Sequence, residues 1–166
     1  MTVAEHVAFS DCERIRPGLI AQPVNTVSSL AYVVAGAVLA SRARREGGPL
    51  ESRRLAVAAA AVAAGLGSVL YHGPGGRWSK RAHDTALAAL VLTQGIRRLG
   101  DRRPPRRGAA VLTATASALH AASRTGRPLC RPDALLQGHA LWHVVSALAV
   151  VVDDAESARS LSTQPE

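Results

Sequence analysis

From Pro17 to Ser41 the chain carries no charged side chain, and this run constrains the fold more than any other feature. About 20 predominantly apolar residues in helical form cross the hydrocarbon core of a bilayer. The apolar part of the run extends from about Gln22 to Ser41. Four more candidate spans follow, at about Leu55 to His72, Ala82 to Leu99, Gly108 to Ser123 and Asp133 to Val152. Lipid offers no partner for backbone N–H and C=O groups, so such spans must be helical. The sequence therefore predicts an all-α integral membrane protein, a bundle of about five transmembrane helices. Residues 1–152 form one domain, and residues 153–166 are read as a polar, unstructured tail. The third span is the least apolar, with Asp84 at one end and Arg97 and Arg98 at the other. Small residues at Gly36, Ala37, Ala60, Gly65, Gly67, Ala86, Ala114 and Ser117 allow helices to approach closely.

Charge is distributed as in a membrane protein. The formal net charge is +8, a value that by itself suits a nucleic-acid binder. The arginines cluster in short segments between uncharged runs, however, and line no folded face, so nucleic acid is excluded as a partner. Arg42, Arg44, Arg45, Arg53 and Arg54 follow the first span. Arg97, Arg98, Arg102, Arg103, Arg106 and Arg107 follow the third. The other side holds fewer cations, so the positive-inside bias places the N-terminus outside and the C-terminus in the cytoplasm. The first sixteen residues are charged and lack the apolar core of a signal peptide.

In this topology the polar residues of three spans converge. His72 ends an outward-going helix, Asp84 begins the next, and His139 and His143 lie in the first half of the last. Ser68 is one turn before His72 on the same face. Intramembrane ionisable groups are functional candidates by default. Three neutral imidazoles suit a catalytic zinc, which keeps its fourth position for water. His72, His139 and His143 are the candidate metal ligands and Zn2+ the candidate cofactor. Ala140 stands where an HExxH helix carries its glutamate, so any base comes from elsewhere. Asp84 is the candidate proton acceptor, and Ser68 the candidate donor to the water or a developing oxyanion. His83 and His120 read as interfacial and Trp142 as a packing or interfacial residue. Cys12 and Cys130 fall on the outer side, where disulfides persist.

At these residues the chain resembles the alkaline ceramidase family, within the wider superfamily of zinc-dependent membrane hydrolases that includes the adiponectin-type receptors. Asp11-Cys12-Glu13 resembles its N-terminal acidic-Cys-Glu segment. Gln22-Pro23-Val24-Asn25-Thr26-Val27-Ser28 resembles the Asn-Thr-x-Ser motif that opens its first helix. Gly65 to His72 resembles its Gly-x-Gly-Ser-x-x-aromatic-His motif, Asp84 lies within a residue of the expected spacing, and His139 to His143 resembles its final His-x-x-x-His helix. The resemblance implies zinc ligands at His72, His139 and His143, a water-binding Ser68, a proton-transferring Asp84 and a Cys12–Cys130 disulfide. Two departures stand out. The family usually has seven spans and this chain five, and Gln22 occupies a place where its calcium site expects an acidic ligand, so calcium is not expected.

The function this predicts is zinc-dependent hydrolysis of an amide bond in a membrane lipid by a metal-activated water, with the site toward the outer leaflet of the cell membrane. Alternatives are a non-catalytic receptor or structural membrane protein stabilised by the metal, and a small transporter. The partner is a lipid substrate, and a homo-oligomer could replace the missing helices.

Overall fold

In the computed structural model of the chain, residues 8–47, 51–101 and 107–161 are described. His6, Arg102, Arg103 and Arg106 lie outside them, as do residues 162–166. Every regular element among the described residues is helical. A short 3-10 turn, Phe9–Asp11, precedes α1 (Pro23–Ser28), α2 (Leu30–Glu46), α3 (Glu51–His72), α4 (Arg77–Asp101), α5 (Arg107–Ala122) and α6 (Gly138–Leu161).

The first predicted span is broken at Ser29. Pro23 starts α1, where its missing N–H costs nothing. Thr26 Oγ1 then donates to Gln22 O at 2.7 Å, and Ser29 Oγ to Asn25 O at 2.7 Å. These side-chain bonds compete with the helical ladder and permit the bend. Among the described residues two stretches, Pro23–Arg45 and Glu51–His72, are by length and composition long and apolar enough to cross a membrane.

The helices form an open row, α5–α6–α2–α3–α4, each packed on the next. Close approach relies on glycine. A Cβ on Gly36 would lie 2.6 Å from Ala58 O and from Val62 Cγ2, and one on Gly67 would lie 3.1 Å from His83 Cα. The core between them is built largely of alanines with Tyr32, Leu39, Val57 and Leu90. The outer faces carry large apolar side chains instead, among them Val34, Leu66, Val91, Leu92, Ile96 and Leu99. The two ends of the row, α4 and α5, are not packed on each other. Between them is a cavity of about 440 Å³, lined by Leu87, Val91, Gln94 and Arg98 of α4, by Thr113 of α5 and by Trp142 and Ser146 of α6, among others.

The last helix continues to Leu161, well past the point where the sequence predicted an unstructured tail. Asp153 and Asp154 are the reason. Both are buried, and they collect arginines from three helices. Arg54 Nε lies 3.0 Å from Asp154, Arg97 bonds Asp153 and Asp154, Arg42 lies 3.6 Å from Asp154, and Arg98 lies 3.2 Å from Asp153. Glu156 extends the set by accepting from the Ala109 N–H near the start of α5. These acidic residues, polar when read one by one, clamp α2, α3, α4 and α6 at one end of the bundle.

Candidate functional site

At the opposite end, His72 closes α3 and His139 and His143 open α6. All three rings are buried, and one nitrogen from each lies within 4.8 Å of the others. The N-terminal segment fixes two of them. The Gln22 amide nitrogen donates to Glu13 O at 2.7 Å and Ala8 O at 3.1 Å, which turns its oxygen toward His72. Nδ1–H of His72 therefore donates to Gln22 Oε1, at 2.7 Å. Ser28 Oγ donates to Asn25 O at 3.0 Å, so it accepts from Nδ1–H of His143 at 2.9 Å. Both contacts place the proton on Nδ1 and the lone pair on Nε2, the arrangement that ligand histidines adopt when a second residue holds the ring.

The donor set fits zinc. Nε2 of His143, both ring nitrogens of His139 and Oγ of Ser68 are buried with no hydrogen-bond partner among the described residues. A buried polar atom left unsatisfied costs about 1–3 kcal/mol, so such atoms converging at one end of a bundle point to a ligand they share. Three imidazoles are a donor set that zinc accepts.

Of the site residues read from the sequence, the structure brings the three histidines together and keeps Ser68 buried one turn below His72. It does not bring Asp84 to them. The Asp84 side chain is 53% exposed and bonds Lys80 Nζ at 2.6 Å and His83 Nδ1 at 2.9 Å. The cause is the azimuth of α4. The close approach at Gly67 turns His83 inward, and its neighbour then faces out. His83 stacks on Tyr71, with ring centroids 4.7 Å apart, and its ring lies 6.3 Å from that of His72. His120 of α5 lies 5.8 Å from His139 and 4.6 Å from Trp142. These two histidines, read as interfacial from the sequence, flank the cluster from the two helices that border the open cleft.

The N-terminal segment is fastened over this end. Cys12 and Cys130 are disulfide-bonded. Thr125 Oγ1 donates to Phe9 O and accepts from Cys12 N–H. Glu13 accepts from the N–H groups of Val24 and Asn25 at 2.9 and 2.8 Å and so caps α1. Glu13 is thereby committed to the helix start and Gln22 to His72. On the exposed flank Arg14 pairs with Asp133, and the guanidinium's hydrogen bonds hold that carboxyl below its ordinary range.

Gln22, Ser28 and Asp11, whose Oδ1 lies 3.9 Å from Nδ1 of His139, are the residues beside the histidines that local spacing did not reveal. Gln22 and Ser28 both sit in the segment noted above for its Asn-Thr-x-Ser pattern, but nothing in that pattern names a partner 50 or 115 positions away. Comparison with known protein families, with curated proteins and with solved structures found no match for the chain.

Proposed function

We propose that this chain is a zinc-dependent membrane hydrolase of the alkaline ceramidase type, cleaving an amide bond in a lipid. The observation that carries the proposal is the buried triad His72, His139 and His143, two of whose rings are held by Nδ1 so that Nε2 faces the centre. Zinc held by these three histidines would supply a water of near-neutral pKa and would polarise the scissile carbonyl. The chain's own residues do the rest. Gln22 and Ser28 keep the ligand rings in register, and Ser68 offers its hydroxyl to the reacting oxygen. Asp84 bonds His83 Nδ1, the His83 ring lies 6.3 Å from that of His72, and in this proposal that pair is the route by which a proton leaves.

Membrane residence with about five spans is part of the same reading. Its support is the surface of the bundle: Arg54, Arg97, Asp153, Asp154 and the three histidines are buried, while Val91, Leu92 and Leu99 face out. Such a surface is matched by lipid. The arginine-rich end then lies in the cytoplasm and the histidines in the outer leaflet. The cleft between α4 and α5 opens laterally beside Trp142, where a lipid chain can enter.

A non-catalytic, metal-stabilised membrane protein is the second reading, and one observation favours it: the Asp84 carboxylate is half exposed and outside the cluster. Zinc content and turnover separate the two. Detergent-purified wild type is expected to carry about one zinc per chain, lost in His139→Ala, and to hydrolyse lipid amides. Zinc without turnover on lipid amides and esters establishes the second reading. Folded wild type without zinc ends both.

A further inference from the structure

We infer that Asp11, rather than Asp84, is the carboxylate of the metal site: a positioning residue that holds His139 and offsets the charge of the ion. The inference rests on the metal reading above and concerns a residue that reading does not use. Asp11 is buried, and its Oδ1 lies 3.9 Å from Nδ1 of His139. Each of the other two ligand rings has its Nδ1–H placed on a protein oxygen, Gln22 for His72 and Ser28 for His143. Among the described residues His139 has no such partner at hydrogen-bond distance, and both its nitrogens are buried. A neutral imidazole that offers one nitrogen to a metal carries its proton on the other, and that N–H needs an acceptor. Asp11 Oδ1, 3.9 Å away and already accepting from Ser10 Oγ, is the carboxylate oxygen beside it.

Charge makes the same assignment. Three neutral imidazoles leave a buried dication uncompensated, and buried charge is costly unless paired. Three other carboxylates lie at this end among the described residues. Glu13, equally buried, has both oxygens committed to the α1 backbone. Asp84 is exposed and paired with Lys80, and Asp133 is exposed and paired with Arg14. Asp11 alone of the four is both buried and beside a ligand ring. Its placement is firm. Ser10 Oγ donates to Oδ1 at 3.0 Å, and Asn25 Nδ2 donates to the Asp11 carbonyl at 3.4 Å. The next residue, Cys12, adopts φ 68°, a left-handed turn rare outside glycine, and carries the disulfide. That turn sends Asp11 toward His139 and Glu13 toward α1.

The test is zinc affinity of the full-length protein in detergent, measured by competition with a chelating dye, beside the zinc-dependent rise in melting temperature. Asp11→Asn, Asp11→Glu and Asp84→Asn are compared with wild type. Loss of an outer partner typically costs 10–100-fold in metal affinity, and that loss is expected for Asp11→Asn, with Asp84→Asn unchanged. Asparagine keeps the shape of aspartate and glutamate keeps its charge. The inference therefore expects Asp11→Glu to retain more affinity than Asp11→Asn, whereas a purely structural role expects the reverse. Should Asp11→Asn fail to fold, Asp11→Ser against Asp11→Glu makes the same comparison. Wild-type affinity in the folded asparagine or serine variant overturns the inference while the metal reading stands. A wild type that takes up no zinc overturns the metal reading and this inference with it.

Discussion

Replacing Gln22 by leucine removes three hydrogen bonds from a side chain with no exposed surface. Two are donations from the amide to Ala8 O and Glu13 O, each worth about 1 kcal/mol net. The third leaves the buried Nδ1–H of His72 facing a methyl group, a penalty of about 1–3 kcal/mol. Leucine is close to glutamine in volume, so no cavity adds to the sum, and the loss is about 3–5 kcal/mol. For a chain of this size each kcal/mol moves the melting temperature by about 2–4 °C, so Gln22→Leu should melt roughly 6–20 °C lower. Zinc affinity should fall by about 10–100-fold, because the His72 ring is released. Gln22→Glu separates the two effects. It keeps an acceptor for His72 but turns a carboxylate oxygen on the two carbonyls that the amide served, so stability falls while zinc binding is retained. Thermal melting and zinc competition on the three proteins read this directly. A Gln22→Leu variant that binds zinc like wild type would refute the claim that Gln22 holds His72.

Asp154→Ala removes the carboxylate lying between the buried guanidiniums of Arg54 and Arg97. A cost of about 3–5 kcal/mol is expected, read as a lower melting temperature with zinc affinity unchanged, since the clamp is at the other end of the bundle. Cys12→Ser opens a loop with 118 positions between its ends. Chain entropy puts its contribution at about 4–5 kcal/mol, and the melting temperature of wild type in reductant should fall to that of the variant. Asp133 has a folded pKa depressed first by the Arg14 hydrogen bond. Its contribution is therefore complete above the ordinary carboxylate range and lost as pH falls through the depressed value. Both partners are exposed, so the effect is small. The melting temperatures of wild type and Asp133→Asn should converge on acidification, and a gap that widens would contradict the pairing.

Helix positions were legible because they depend on local pattern. The Ala/Val-rich run ending at His72 appears as a helix close to its predicted bounds, since length and hydropathy act residue by residue, and the uncharged run before Arg42 appears as two helices parted at Ser29. His139 and His143 share a face because the helical period puts residues four apart together. Their meeting with His72 followed from counting the direction of successive helices.

The azimuth of α4 was not legible in this way. Asp84 and His83 are neighbours, and either could face the cluster. The Gly67–His83 contact, a meeting of two backbones, turned the histidine in and the aspartate out. The helical extension past Val152 was hidden for a similar reason. Asp153 and Asp154 read as solvent-loving until arginines from α2, α3 and α4 are brought around them. Gln22, Ser28 and Asp11 were assigned to the histidines only by the folded chain. Local spacing specifies which side chains share a helix face. It carries no record of which oxygen meets a ring 115 or more positions away, because that pairing exists only once the N-terminal segment is fastened across the bundle by Cys12 and Cys130.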